Sequence, residues 1–219
     1  MKLRAGIYCI FIFACSIANA AELSGMARVI DGDTIEVHGT VVRLFGIDAA
    51  ESGQRCVTSQ RQIVRPGDIA SERLETLVKD GVTCNGDQYD AFGRLIATCA
   101  TPSGANINRT LVQEGLAWAF VKYSDAFVIE EQRARDARLA VWQLACEQPW
   151  VFREKRWKVA EQKSPNGCPI KGNISGNGHI YHTPWSRHYS VTKVDVARGE
   201  RWFCSEAEAL KAGFRAPIR

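Results

Sequence analysis

The chain has 219 residues, 46% of them hydrophobic and 24% charged, with a formal net charge of +4, which excludes a disordered polymer and leaves room for one ordinary domain plus a small appendage. The charge is unevenly divided: residues 21–150 hold 13 Lys and Arg against 18 Asp and Glu, whereas residues 151–219 hold 13 against 6. The longer, acidic part cannot hold a polyanion by bulk attraction, so any phosphate must be gripped locally by particular arginines and a cation, with the basic tail either assisting or serving as soluble surface.

Lys2 and Arg4 precede an apolar run over residues 5–17 and then Ala18-Asn19-Ala20, the pattern of a secretory leader (residues 1–20) cleaved before Ala21. The run falls short of the roughly 20 apolar residues needed to span a bilayer. The mature chain is therefore expected to be exported, to the periplasm or beyond the cell, without stable membrane association; a retained anchor is the competing reading. Residues 26–30, 34–38 and 41–47 are β-branched runs separated by Asp-Gly and Gly-Thr, which predicts consecutive antiparallel strands. Residues 68–79 have helical spacing and meet a stop at Gly81. Two strands of a hairpin follow at residues 81–86 and 93–100, then helices over 106–119 and 126–142.

Residues 151–169, within a basic, Pro- and Trp-containing stretch that starts near Gln148, are expected to link this domain (residues 21–150) to a small module over 170–219. There, segments 170–174, 178–182 and 199–204 suggest short strands, and Ser205 followed by Glu208 forms a capping box before a helix that ends at Gly213. The patterning by itself supports an α+β domain with a curled antiparallel sheet.

Cleavage before Ala21 leaves six cysteines: Cys56, Cys84, Cys99, Cys146, Cys168 and Cys204. An even number in an exported chain predicts disulfides. Cys84 faces Cys99 across the predicted hairpin, and Cys56 with Cys146 and Cys168 with Cys204 would complete the set. No Cys-x-x-Cys pair supports zinc, although His179, His182 and His188 near two cysteines keep a zinc reading open for the module beside that of a disulfide with surface histidines.

Phosphodiester hydrolysis needs charge neutralised at phosphorus and a water activated. Asp33 and Asp48, at predicted strand ends, are hard oxygen donors of the kind Ca²⁺ or Mg²⁺ prefers, and Asp31 is placed to help from outside. Arg43 interrupts the apolar run Val41-Val-Arg-Leu-Phe45, where an unpaired charge is costly, so it needs a phosphate or a neighbouring carboxylate. Glu51 follows Asp48 by three. His38 is the single histidine before residue 150, which argues against two-histidine ribonuclease chemistry.

The segments Val29-Ile-Asp-Gly-Asp-Thr-Ile-Glu-Val37, Val42-Arg-Leu-Phe-Gly-Ile-Asp-Ala-Ala-Glu51 and Asp90-Ala-Phe-Gly-Arg94 resemble the staphylococcal (micrococcal) nuclease family over roughly residues 24–150. The resemblance implies a five-stranded oligonucleotide/oligosaccharide-binding (OB-fold) barrel with three helices. It further implies that Arg43 and Arg94 clamp the scissile phosphate, that Glu51 orients or deprotonates the attacking water, and that Asp33, Asp48 and the Ala49 carbonyl hold Ca²⁺ in preference to Mg²⁺, with Asp31 and Thr34 in support. The implied activity is cleavage of DNA and RNA by a monomer, with little sequence preference and 3′-phosphate ends.

Two departures stand out. Ala49-Ala50 replaces the family's usual Thr-Pro or Ala-Pro, loosening the loop, and Phe92 replaces a common tyrosine, removing a hydroxyl. Trp118, Phe120 and Tyr123 are candidates for base stacking, with core packing as the alternative. Cys168-Pro-Ile-Lys-Gly-Asn and Arg201-Trp-Phe-Cys-Ser-Glu-Ala-Glu-Ala-Leu resemble a small module appended to some exported nuclease-like proteins. Since some relatives are named for exopolysaccharide biosynthesis, a catalytically weak barrel that binds nucleic acid or an anionic polysaccharide is the alternative function. An assembly protein working through its tail is a third.

Overall fold

The computed structural model describes residues 21–217, so the expected leader lies outside the described residues. The chain opens with β1 (Ala21–Gly25) and β2 (Ala27–Asp31), halves of one extended segment interrupted at Met26. Then come β3 (Thr34–Val37), β4 (Thr40–Leu44), the short β5 (Ile47–Ala49), and a ribbon of β6 (Cys56–Val57) and β7 (Ile63–Val64). Helix α1 (Pro66–Val78) precedes the hairpin of β8 (Val82–Tyr89) and β9 (Leu95–Ala100).

The main sheet has the order β1-β8-β9-β4-β3-β2, all pairs antiparallel except β4 with β9. Its two edges are the two halves of one segment, so the sheet curls round onto itself. Counting β1 and β2 together gives the five-stranded curled sheet of the expected fold, whose closure leaves few free backbone groups at an edge. Alternation fixes the register: Leu95, Ala97 and Cys99 of β9 point inward onto Ile35, Val42, Leu44 and Leu74. Each buried large aliphatic contributes on the order of 1.5–3 kcal/mol, and a one-residue slip would turn the whole set to water. Ala70, Leu74 and Val78 repeat every fourth residue and lay α1 against this core.

Two predicted helices end early. Helix α2 (Ile107–Gln113) stops at Gly115, φ +70°, and the residues expected to continue it become β10 (Ala117–Ala119), paired with β5. Helix α3 (Val128–Asp136) gives way to left-handed Arg138 and Ala140 and a 3-10 turn over Ala140–Gln143. In this path the Val141 amide donates to the Gly115 carbonyl at 3.1 Å and the Trp142 ring packs on Trp118 at 5.7 Å. A helix running on to residue 142 would forfeit both contacts.

The stretch expected as a linker forms helix α4 (Pro149–Glu161), begun by a proline whose fixed φ suits a first turn. Beyond it, β11 (Ile170–Ser175), β12 (Gly178–His182), β13 (Arg201–Phe203) and α5 (Glu206–Lys211) enclose a second core of Ile170, Tyr181, Phe203, Ala209 and Phe214. Ser205 caps α5 by accepting from the Glu208 amide, and Glu208 in return accepts from the Cys204 amide.

All three expected disulfides are present: Cys56–Cys146, Cys84–Cys99 and Cys168–Cys204. The zinc reading of the module is corrected, because its cysteines are bonded to each other, His179 packs on Phe214, and buried His182 meets Asn173 Oδ1 through Nε2 at 3.0 Å. Among the described residues no helix is long and apolar enough to cross a membrane.

Candidate functional site

A cleft of about 820 Å³ opens where the β2–β3 turn, β4, β5, the β8–β9 turn and α4 converge. It is lined by Asp31, Asp33, Arg43, Asp48, Ala49, Glu51 and Arg94, brought together from positions as far apart as 31 and 94. Register explains much of this. Arg43 pairs across β3–β4 with Thr34, which puts its guanidinium beside the Asp31-Gly32-Asp33 turn, and β5 is held by β10 so that Asp48 faces the same space.

The charges are heavily paired. Arg43 donates through Nη2 to Asp48 Oδ1 at 2.8 Å and to the Ile47 carbonyl at 3.3 Å, while its Nη1 forms an ion pair with Asp33. Asp33 also accepts from the Ala49 amide at 2.6 Å and from the Thr34 hydroxyl at 3.1 Å, so Thr34 supports the site from behind. The Asp33 amide in turn donates to Asp31 Oδ1 at 3.1 Å. Burial pushes the Asp31 carboxyl above the usual carboxylate range against the pull of Arg43, and burial likewise lowers Arg43, opposed by Asp48. Burial raises Glu51 to about 7, although Arg153 beside it works in the other direction.

Arg153, which sequence reasoning missed, comes from α4. Its fork donates to Asp48 Oδ2 at 2.7 Å, Asp48 Oδ1 at 3.1 Å and Glu51 Oε1 at 2.7 Å. Burial alone would depress its pKa, but the hydrogen bonds from this fork to Asp48 and its attraction to both carboxylates outweigh that and raise it. Arg94 is held at its base instead. Asp90 accepts from the Phe92 and Arg94 amides at 2.9 and 3.0 Å and from Arg94 Nε at 2.7 Å, and the guanidinium lies 5.2 Å from the Phe92 ring. Among the described residues neither Arg94 Nη group donates a hydrogen bond to the protein, which leaves a donor edge available in the cleft beside the Asp90 ion pair.

The stacking candidates divide. Phe120 and Tyr123 line the cleft, in edge contact at 5.0 Å, with Phe120 also stacked on Trp150 at 5.3 Å. Trp118 is corrected to a core residue: it is 2% exposed and packs with Ala50, Val141 and Trp142. Three further lining residues, Trp157, Trp185 and Glu206, belong to α4 and the module. A basic run opened by Pro149 was the available signal for this helix, but it reads equally well as a solvated connector.

The oxygen donors suit a hard divalent cation by type, and the raised Asp31 carboxyl marks a place where added positive charge would relieve burial. Among the described residues, however, no three His, Cys, Asp or Glu are grouped to hold an ion as they stand. Guanidiniums are paired with Asp33 and Asp48 instead.

Two family models match: "Staphylococcal nuclease homologue" over residues 41–144 and "ArfC" over residues 157–216. An uncharacterized endonuclease of Escherichia coli O157:H7 is 30% identical over 155 residues, 67% of this chain and 95% of its own length. The micrococcal nuclease of Shigella flexneri is 33% identical over 174 residues, 71% of this chain and 91% of its own length. The succinoglycan biosynthesis protein ExoI of Rhizobium meliloti is 36% identical over 103 residues, 46% of this chain and 54% of its own length. Arg153 falls between the two matched segments.

Proposed function

This chain belongs to the staphylococcal nuclease homologue family and is an endonuclease, a hydrolase of nucleic acid, and on that premise we propose that it is an exported, Ca²⁺-dependent enzyme that cuts DNA and RNA with little sequence preference and leaves 3′-phosphate ends. The observation that carries the reading is the convergence of Arg43, Arg94 and Glu51 on one cleft.

Arg43 and the unpaired Nη edge of Arg94 grip the phosphate, a task that a planar two-donor fork performs better than an ammonium. Glu51 takes the proton of the attacking water. Asp33, Asp48 and the Ala49 carbonyl would hold the ion, with Asp31 and Thr34 behind them. When bound, Ca²⁺ supplies charge neutralisation at the phosphate oxygens. Export is supported by the three disulfides together with the leader pattern, and the chain works as a monomer.

Incubating residues 21–219 with plasmid DNA and single-stranded RNA in Ca²⁺, Mg²⁺ or EDTA, beside Arg43→Ala and Glu51→Gln, tests this. Ca²⁺-dependent cutting that both variants lose by 100-fold or more, on the order expected for such groups, supports the proposal, and end-labelling reads the product termini. The second reading, a weakly catalytic barrel that binds nucleic acid or an anionic polysaccharide, draws support from the guanidiniums already seated on Asp33 and Asp48. Folded wild-type protein that binds these polymers and leaves them intact in every metal would establish it.

A further inference from the structure

Two pairs of aromatic side chains line the cleft, and the second pair, Trp157 and Trp185, lies outside the nuclease match. Trp157 stands one helical turn beyond Arg153 on α4, which puts the two side chains on the same face of the helix. Trp185 lies opposite, its ring centroid 6.2 Å from that of Trp157 with the planes tilted by 36°. Both are half-buried, both line the cleft, and among the described residues neither indole N–H donates to a protein group.

The segment carrying Trp185 is fastened to the loop that follows Glu51. The Arg187 amide donates to Ser52 Oγ at 3.4 Å and the Arg187 guanidinium is ion-paired with Asp68. Gly53 passes so close to the Trp185 carbonyl that a Cβ there would collide with it. Trp185 is thus held against the catalytic loop rather than placed on a free surface. Phe120 and Tyr123 line the same cleft from the nuclease domain, so four aromatic side chains share it with Arg43, Arg94 and Arg153.

This interleaving of rings and cations is what an unpaired polynucleotide needs, with the backbone on the guanidiniums and splayed bases on the rings. A duplex keeps its bases stacked on one another and cannot offer their faces. Resting on the nuclease reading above, we propose that Trp157 and Trp185 form a base-stacking subsite through which the C-terminal module directs the enzyme to single-stranded nucleic acid. A base next to the scissile phosphate stacks on Trp185, and Trp157 supports it.

The test uses the full mature chain with a single-stranded oligothymidine and a hairpin duplex as substrates, comparing wild type, Trp185→Phe and Trp185→Leu. Leucine keeps apolar bulk for docking, whereas phenylalanine keeps a ring. Stacking predicts that Trp185→Leu raises KM for the single strand about 10-fold or more, leaves kcat within about 2-fold, leaves duplex cutting unchanged, and that Trp185→Phe restores most of the loss. Equal effects of Leu and Phe, or equal effects on single strand and duplex, would overturn the subsite. Anisotropy of the labelled oligothymidine, measured in the Glu51→Gln background, reads the same subsite without turnover. If wild type cuts nothing yet single-strand binding still falls with Leu and recovers with Phe, the nuclease reading fails and the subsite stands.

Discussion

Arg153→Met removes the guanidinium shared by Asp48 and Glu51 while keeping much of the side chain's apolar stem. Asp48 is fully buried and Arg153 keeps 25% of its side-chain exposure. Breaking a fully buried pair costs about 3–5 kcal/mol. Partial exposure of Arg153, and the second partner that Asp48 retains in Arg43, bring the expected loss to about 2–3 kcal/mol. For a chain of this length that corresponds to a fall in Tm of about 4–12 °C, read by calorimetry at neutral pH and physiological salt. In a cycle with Glu51→Gln, the penalty for Arg153→Met should shrink by about 0.5–3 kcal/mol, because one of the stranded carboxylates is gone. A variant that melts within about 1 °C of wild type, or whose penalty is the same with Gln at position 51, would refute the pairing on which the electrostatics of the site depends.

Ca²⁺ added to Arg153→Met should raise its Tm more than it raises that of wild type, since Asp48 Oδ2 is then free for the ion while Oδ1 stays on Arg43; titration calorimetry checks the affinity directly. Replacing Asn108, whose side chain accepts from the Cys99 amide and donates to the Phe45 and Ala97 carbonyls, by Ala should cost about 2–4 kcal/mol in urea unfolding by stranding buried backbone groups. Gly53→Val should release the module from the catalytic loop, seen as faster proteolysis after residue 150 with the nuclease core still protected. Burial lowers the pKa of His182 from 6.5, with His188 and Lys171 adding to the effect. The unfolded chain therefore takes up that proton first as pH falls below about 6.5, and stability is lost down to the lower folded pKa. Denaturant melts between about pH 7 and pH 5.5 should accordingly show a smaller loss for His182→Asn than for wild type.

Much of the nuclease domain was legible because its signals are local. Alternating apolar residues in β3, β4 and β9 specify strands, and the Asp31-Gly32 and His38-Gly39 turns place Asp31, Asp33 and Arg43 at one end of the sheet. The same holds for Cys84 and Cys99, which face each other wherever the hairpin forms. The ends of α2 and α3 were not legible. Residues 117–119 are good helix formers by propensity, yet they gain more as a buried strand against β5, where Trp118 reaches the core.

The sequence by itself determined the fold class, the facing of Cys84 and Cys99 within one hairpin and several of the charged side chains that line the cleft, since periodicity, turn chemistry and short-range spacing are written in neighbouring residues. The tertiary structure alone decided that a helix beyond the domain returns Arg153 to Asp48 and Glu51, across a separation of about 100 residues in the chain, and that Trp185 lines the same cleft. Such contacts depend on how separate cores dock, through a tight approach at Gly53 and an ion pair between Arg187 and Asp68. No local pattern encodes that geometry, because each partner satisfies its own element's rules equally well when it faces solvent.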